Sequence, residues 1–378
     1  MTVLQSGGSE PAATAGSGRP RREVIGAWFL LAGYLSLLLG LTWDGQWHND
    51  VGPDNFWTAP HLLLYSGTAI MGLTCLTVVL VNTWRPGLDG DRPAVRVFGV
   101  FRAPLPFLVG GVGAAGNLLY GVADLWWHDF YGFDIALAST PSHLGLALCI
   151  FTELVGVVMA ATVLGPSRGQ RWAFAAACAV GVMGSTQLAN VLSDPVSRVF
   201  PALGPRTVLM GVASALVVCL AVGVTRSVRW LLASGLVFLT TQVGIILFTP
   251  AATRWYADAI DMPFRDYAAG ISPGIFLPAA YPVVMLLVAA VLWYARRRAA
   301  APTRVVPVLG VVAGLLTALM YAFLESGLNR PVTLLVTALL SGATGWFGWR
   351  CAALVRGREL AAPGRTGPAG LALDGAPA

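Results

Sequence analysis

Long apolar stretches alternate with short polar segments along most of this 378-residue chain. A membrane-spanning helix needs roughly 20 mostly apolar residues, and ten stretches meet that requirement. They cover approximately residues 24–43, 57–83, 103–123, 141–164, 172–193, 207–225, 230–249, 272–295, 305–324 and 331–349. The pattern predicts an all-α polytopic membrane bundle of about ten transmembrane helices, built from helix hairpins.

The same pattern divides the chain into four regions. We expect a disordered cytoplasmic tail over 1–23, a four-helix region over 24–165, a six-helix region over 166–352 and a second disordered cytoplasmic tail over 353–378. Both tails are rich in Gly, Ala and Pro, which is typical of linkers and chain ends. The candidate chemistry described below falls in the four-helix region.

Composition supports a membrane protein and excludes several other classes. Hydrophobic residues make up 56% of the chain and charged residues only 11%, whereas a soluble domain carries about 25% charged residues. The mean hydropathy is +0.70. A disordered chain or a nucleic-acid partner would need more polar surface. The five cysteines are scattered through the spans without C-x-x-C spacing, which indicates small packing residues and not a disulfide framework or thiolate site.

The distribution of charge predicts the orientation of the bundle. The chain contains no lysine, and with a cytoplasmic N-terminus 19 of its 24 basic residues, all arginines, fall in cytoplasmic segments. The remaining 5 arginines lie in the outer loops, together with 11 acidic residues. The positive-inside rule then places both termini in the cytoplasm. We therefore expect a multi-pass protein of the cell membrane, with an acidic outer face that attracts cations.

All four histidines fall in two similar segments that are expected to face outward. The first segment contains Asp44, His48, Asp54 and His61, and the second contains Asp124, His128, Asp134 and His143. Both match Asp-x3-His-x5-Asp, and each closes with a histidine placed one or two residues after a proline. The repeat predicts two copies of one site. The alternative is that His, Asp and Trp simply favour the membrane interface.

The spacing of the repeat suits metal binding. Residues four apart share one face of a helix, so Asp44 with His48, and Asp124 with His128, can each present an oxygen and a nitrogen to one ion. The prolines before His61 and His143 suit a helix start, which would bring the third ligand from the next helix. Two histidines and one carboxylate leave coordination positions open, a set that suits copper or iron, with zinc also compatible.

Three further acids accompany these ligands. Asp54 and Asp134 recur in both copies of the repeat, and we expect them to orient the histidines. Glu153 lies inside a predicted span, ten residues beyond His143. Acids within spans are costly and are usually functional or paired. The three interpretations of Glu153 are a proton relay, a partner that orients the ligands, and an ion pair or hydrogen bond within the bundle.

The two motifs resemble the C subunit of particulate methane monooxygenase and ammonia monooxygenase, the copper membrane monooxygenases. The likeness covers roughly residues 30–165 and rests on the run from Asp44 to His61, with Trp47 and Thr58-Ala-Pro60-His61, and on Asp124, His128 and Pro141-Ser-His143. It implies one copper site at each motif. The family subunit has an extra helix before its first motif and works beside two other subunits, whereas this chain adds six further spans.

The leading functional hypothesis is therefore a membrane-embedded copper monooxygenase, or its metal-bearing subunit, that activates dioxygen to oxidise a small or lipophilic substrate. We expect Asp124, His128 and His143 to be the catalytic ligands. The partners implied are lipid, dioxygen, the substrate and either further monooxygenase subunits or a second copy of the chain. The alternatives are a metal-ion transporter or copper-handling protein, and a subunit whose metals are structural. The acidic and aromatic loop over 255–266 either caps the site or is a solvated loop.

Overall fold

A computed structural model describes residues 21–52, 55–85, 94–132, 140–162, 167–298, 300–324 and 331–360. Ten helices in these ranges are long and apolar enough to cross a membrane, which confirms the predicted all-α polytopic bundle. They are α1 (Arg21–Asp50), α2 (Ala59–Trp84), α3 (Leu105–Tyr131), α4 (Pro141–Thr162), α5 (Arg168–Val199), α6 (Pro205–Thr225), α7 (Val228–Ala259), α8 (Tyr281–Arg297), α9 (Pro302–Leu324) and α10 (Pro331–Leu360). A short 3-10 helix, Pro273–Phe276, precedes α8.

Most of the helices begin at a proline or at a capping side chain. Proline occupies one of the first two positions of α2, α3, α6 and α8, where its missing N–H loses no helical hydrogen bond and its fixed φ favours the helix. Helix α5 begins instead with a capping box, in which Ser167 and Gln170 each bond the other's backbone N–H. These local signals set the entry points of the helices.

Several helices run past the apolar stretches that predicted them. Helices α1 and α3 end at Asp50 and Tyr131, beyond the expected ends at 43 and 123, so their motif residues lie on the last turns of the helices. Helix α7 continues through Pro250 to Ala259. Helix α10 continues to Leu360, past the expected start of the tail at 353. The apolar run marks the bilayer-spanning part, whereas backbone hydrogen bonding continues into the polar flanks.

A small β-hairpin between α2 and α3 was not anticipated from the sequence. Strands β1 (Val95–Val97) and β2 (Phe101–Ala103) pair antiparallel. The turn places Phe98 and Gly99 at positive φ, which is unusual for a phenylalanine. The hairpin joins the ends of α2 and α3 that lie away from the motif residues.

Helices α1 and α2 approach each other until their backbones are in contact. A side chain at Gly67 would overlap the backbone of Gly33 and Leu37, and one at Gly40 would overlap the backbone of Leu64. Small residues permit this close approach in membrane bundles, where packing and not the hydrophobic effect drives helix association. The crossing fixes the separation of α1 and α2 one turn from Asp44.

One large hydrophobic core runs through the bundle, with members from Ala27 in α1 to Trp349 in α10. Helix α1 packs against α2, α4, α5 and α7, and so contacts both predicted regions of the chain. The division into 24–165 and 166–352 stays a prediction. The packing nevertheless shows that the second region supports the helix that carries the first motif.

Candidate metal centre

The first motif folds into a cluster of three potential ligands. Asp44 and His48 lie on the last two turns of α1, and His61 lies in the first turn of α2. Asp44 Oδ1 is 3.2 Å from His61 Nε2 and 3.8 Å from His48 Nε2. One ligand atom from each of the three residues lies within 4.8 Å of the other two. We call this group the first triad.

The second motif repeats the arrangement on the next hairpin. Asp124 and His128 lie near the end of α3, and His143 lies in the first turn of α4. His128 Nε2 is 3.5 Å from Asp124 Oδ2, and His143 Nδ1 is 3.5 Å from Asp124 Oδ1. The ligand atoms again lie within 4.8 Å of one another. We call this group the second triad.

Two of the histidines are oriented by backbone carbonyls. His61 Nδ1 donates to the carbonyl oxygen of Asn55 at 2.9 Å, and His128 Nδ1 donates to that of Gly132 at 3.2 Å. A carbonyl can only accept, so Nδ1 carries the proton in both rings. Nε2, the nitrogen that holds the lone pair when the ring is neutral, faces an aspartate oxygen of the triad in both cases. Two acceptors that face each other favour a cation between them.

The ligand atoms of both triads have the chemical type and the spacing that suit a bound metal ion. Ligand atoms at roughly 2.0–2.2 Å from one ion lie no more than about 4.4 Å apart, so triads within 4.8 Å need only small side-chain adjustments. The triad side chains are 12 to 25% exposed, which allows an ion to enter. Two imidazoles and one carboxylate leave open positions at either site.

Both triads line one cavity. Its volume is about 120 Å³, and its wall also includes Asn55, Phe56, Tyr65, Gly121, Leu125 and Asp129. The imidazole of His143 interacts electrostatically with Asp44 and His48 of the first triad. The two copies of the repeat therefore share one end of the bundle and face one space. Which side of the membrane this end occupies stays a prediction.

The first triad is supported by a distant part of the chain. On α1, Gln46 donates to Asp50, and Thr249 of α7 donates to Gln46 Oε1 at 3.4 Å. Thr249 also bonds Ser272. All four side chains are buried. This network ties the end of α1 to α7 and to the connection that leads into α8.

The loop over 255–266 also contacts the end of α1. Its first five residues belong to α7, and Tyr256 packs on Trp47 with ring centroids 5.0 Å apart. The backbone N–H of Arg265 donates to the Asp50 carbonyl at 2.8 Å. Asp258 and Asp261 are exposed. The acids thus face solvent, as in the solvated-loop interpretation, while the aromatic residues brace the helix that carries the first triad.

The second triad is supported by hydroxyl groups beside its own third ligand. Ser142 donates to Asp124 Oδ1 at 2.6 Å, and Thr140 Oγ1 lies 2.6 Å from His143 Nδ1. Both hydroxyl residues are buried. They come from the residues that begin α4, so the second triad is held within its own hairpin.

Of the three acids that accompany the ligands in the sequence, the structure describes only Glu153. Asp54 and Asp134 lie outside the described residues. Glu153 is fully buried in α4, and the side-chain partners recorded for it are Asn117 of α3 and Thr68 of α2. Its contacts match a hydrogen bond within the bundle, one of the three interpretations given above.

The sequence interpretation missed the groups that hold the triads in place. Asn55 and Gly132 act through their backbone carbonyls. Every residue has a backbone carbonyl, so the residue types in the sequence do not reveal these contacts. Thr140 could have been found, because a threonine precedes the closing histidine by three residues in both motifs, and this is a helix-capping position. The network around Thr249 had no local signal, since it joins residues about 200 positions apart.

Comparison with known proteins adds no identification. No family model, curated protein or solved structure matches the chain. Functional inference therefore rests on the two triads and their cavity.

Proposed function

We propose that this protein is a membrane-embedded, copper-dependent monooxygenase, or the metal-bearing subunit of one, that oxidises a small apolar substrate. The observation that carries the proposal is the convergence of two Asp-His-His triads on one cavity. The resemblance of both motifs to the C subunit of the copper membrane monooxygenases adds the metal and the reaction class.

The donor set supports this chemistry. Bound copper would supply the redox chemistry that activates dioxygen. Imidazole and carboxylate ligands suit copper, and the carbonyls of Asn55 and Gly132 fix the tautomers of His61 and His128. The residues thus pre-orient their nitrogen lone pairs before any ion binds.

The cavity supports a small substrate. A volume of about 120 Å³ is well below the roughly 300–1,000 Å³ of a typical drug-sized pocket. Phe56, Tyr65 and Leu125 give part of the wall an apolar character, and Leu125 is partly exposed. A small apolar molecule suits a cavity of this size and lining.

Metal transport, the alternative function, would favour ligands distributed along the spans and broken helices. Within the described parts of the chain, the candidate ligand groups are the two triads, and both line the same cavity. That clustering favours an enzyme over a transport path.

The test is oxygen consumption coupled to product formation in membranes that contain the full chain, with short alkanes and alkenes as probes. Copper is removed with a chelator and then restored. The proposal expects activity to disappear and to return with copper but not with zinc. Activity that survives thorough copper removal, or that zinc restores equally well, would contradict it.

A further inference from the structure

A buried polar cluster lies beneath the triad cavity, inside the first four helices. Its members are Thr68 of α2, Asn117 of α3, Glu153 of α4 and Tyr34 of α1, all with 0% exposure. Thr68 lies seven residues from His61 on α2, and Asn117 lies seven residues from Asp124 on α3. Seven residues span about 10 Å along a helix. Each of the four helices that carry a triad residue thus also carries one polar residue two to three turns deeper.

Asn117 joins the cluster together and has an unused acceptor. Its carboxamide nitrogen donates to Thr68 Oγ1 at 2.8 Å and lies 3.4 and 3.5 Å from the two carboxyl oxygens of Glu153. Its Oδ1 is buried and has no hydrogen-bond partner among the described residues, and the same holds for the Tyr34 hydroxyl. The two ends of a carboxamide are interchangeable by rotation, so Asn117 can turn its oxygen, an acceptor, toward the Glu153 carboxyl.

The side-chain partners of the Glu153 carboxyl in the described part of the chain are the neutral Asn117 and Thr68. Among the residues that the structure describes, neither arginine nor histidine contacts it. The titratable groups that interact with it electrostatically are Tyr34, Cys75 and Cys149, which are neutral in their ordinary state at pH 7. An ionised carboxylate buried without a cation is very costly, and a protonated carboxyl provides the O–H donor that Asn117 lacks.

The side chain of Glu153 is directed toward the cavity end of the bundle. Helix α4 begins at the cavity end, and helical side chains lean toward the helix N-terminus, so Glu153 leans toward the cavity. Tyr65 lines the cavity and lies between His61 and Thr68 on α2. In the other direction Leu154, Val157 and Phe107 form an apolar core.

We propose that Glu153 is a proton-binding site. Its carboxyl group holds a proton inside the bundle, donates it in a hydrogen bond to Asn117 and exchanges it with water in the triad cavity. The exchange moves only a proton: the carboxylic acid becomes a carboxylate, and a water molecule becomes hydronium. The inference does not rest on the metal or on the oxidation proposed above.

Infrared spectroscopy of the purified full-length chain in lipid nanodiscs tests this proposal without any assay of activity. A protonated carboxyl gives a C=O stretching band that is separate from carboxylate bands and shifts in D2O. We expect this band at neutral pH in the wild type, its loss in Glu153→Gln and its retention in Asp258→Asn, which changes an exposed acid. Absence of the band, its persistence in Glu153→Gln, or a carboxylate band that responds to sodium or potassium would overturn the proposal.

Two further variants keep the test decisive if Glu153→Gln fails to fold. Asn117→Leu removes the acceptor and should shift the band without abolishing it. Thr68→Val removes the hydroxyl on the cavity side and should slow the shift in D2O, whereas Thr77→Val changes an exposed threonine that bonds its own helix and should not. The assignment to this cluster would be contradicted if Asn117→Leu left the position of the band unchanged and Thr68→Val left the rate of its shift in D2O unchanged.

Discussion

The two triads contain the same three residue types but are held in place in different ways. The second triad is self-contained: Ser142 and Thr140, next to its third ligand, bond Asp124 and His143. The first triad has a local bond from His61 to the Asn55 carbonyl, and the end of α1 that carries Asp44 and His48 is also tied to α7, about 200 positions away, through Gln46 and Thr249. The two copies of the repeat therefore share their ligands and a carbonyl bond to one histidine, and they differ in the remaining side-chain contacts.

This difference gives the six-helix region 166–352 a specific role. Helix α7 and the connection that follows it brace α1 at the level of the first triad, through Thr249, Tyr256 and Arg265. The second hairpin makes its corresponding bonds internally. Changes in the later part of the chain should consequently affect one triad more than the other.

The largest expected effect is loss of metal on removal of a ligand. His48→Ala should abolish binding at the first triad only, His128→Ala should abolish it at the second only, and the double variant should bind no metal specifically. In each case the remaining carboxylate and imidazole cannot complete the site. Elemental analysis of the purified protein measures this, with Asp258→Ala as a control at an exposed acid. Unchanged stoichiometry in the double variant would refute the two-site model.

The second prediction concerns activity and asks whether the second triad is the catalytic one. His143→Ala and Asp124→Ala should each lower product formation by more than about 100-fold, since even residues that only orient ligands contribute 10–100-fold. His48→Ala should leave more activity than either. Product formation per folded protein is the measurement, with folding checked by circular dichroism. Greater loss in His48→Ala would assign catalysis to the first triad instead.

A smaller effect is expected when the local support of the second triad is removed. Ser142→Ala deletes the hydroxyl that donates to Asp124, and copper affinity at the second triad should fall by about 10-fold or more. The first triad should be unchanged. Metal titration of the His48→Ala background isolates the second site. Ser66→Ala, which removes an exposed hydroxyl bonded to its own helix, is the control and should have no effect.

The smallest effect is expected from the remote support of the first triad. Thr249→Val removes two buried hydrogen bonds, one to Gln46 and one to Ser272. Only the bond to Gln46 reaches α1, and a bond of this kind contributes about 1 kcal/mol, so affinity at the first triad should fall by less than about tenfold. Metal titration in the His128→Ala background reports this site alone. Thr240→Val changes an exposed threonine of the same helix and serves as the control. Equal weakening of both triads would remove the distinction between local and remote support.

Much of the fold and the ligands could be predicted from the sequence because their signals are local. Hydropathy located ten spans, and the i,i+4 spacing placed Asp44 with His48 and Asp124 with His128 on single helix faces, as the structure has them. The hydropathy of a single span carries no information about its neighbours, so the sharing of one cavity by two hairpins could not be derived. The same reason explains why Thr249 was overlooked.

Gly40 carries no reactive group, yet it is among the least replaceable positions near the first triad. It lies one turn before Asp44, and a Cβ at this position would stand 2.7 Å from the Cα of Leu64, three residues after His61. Even alanine would force α2 outward and carry His61 away from Asp44. Tolerance to substitution in this hairpin is therefore not a guide to chemical role, and a mutational scan limited to acids and histidines would miss the residue that sets the spacing of the ligands.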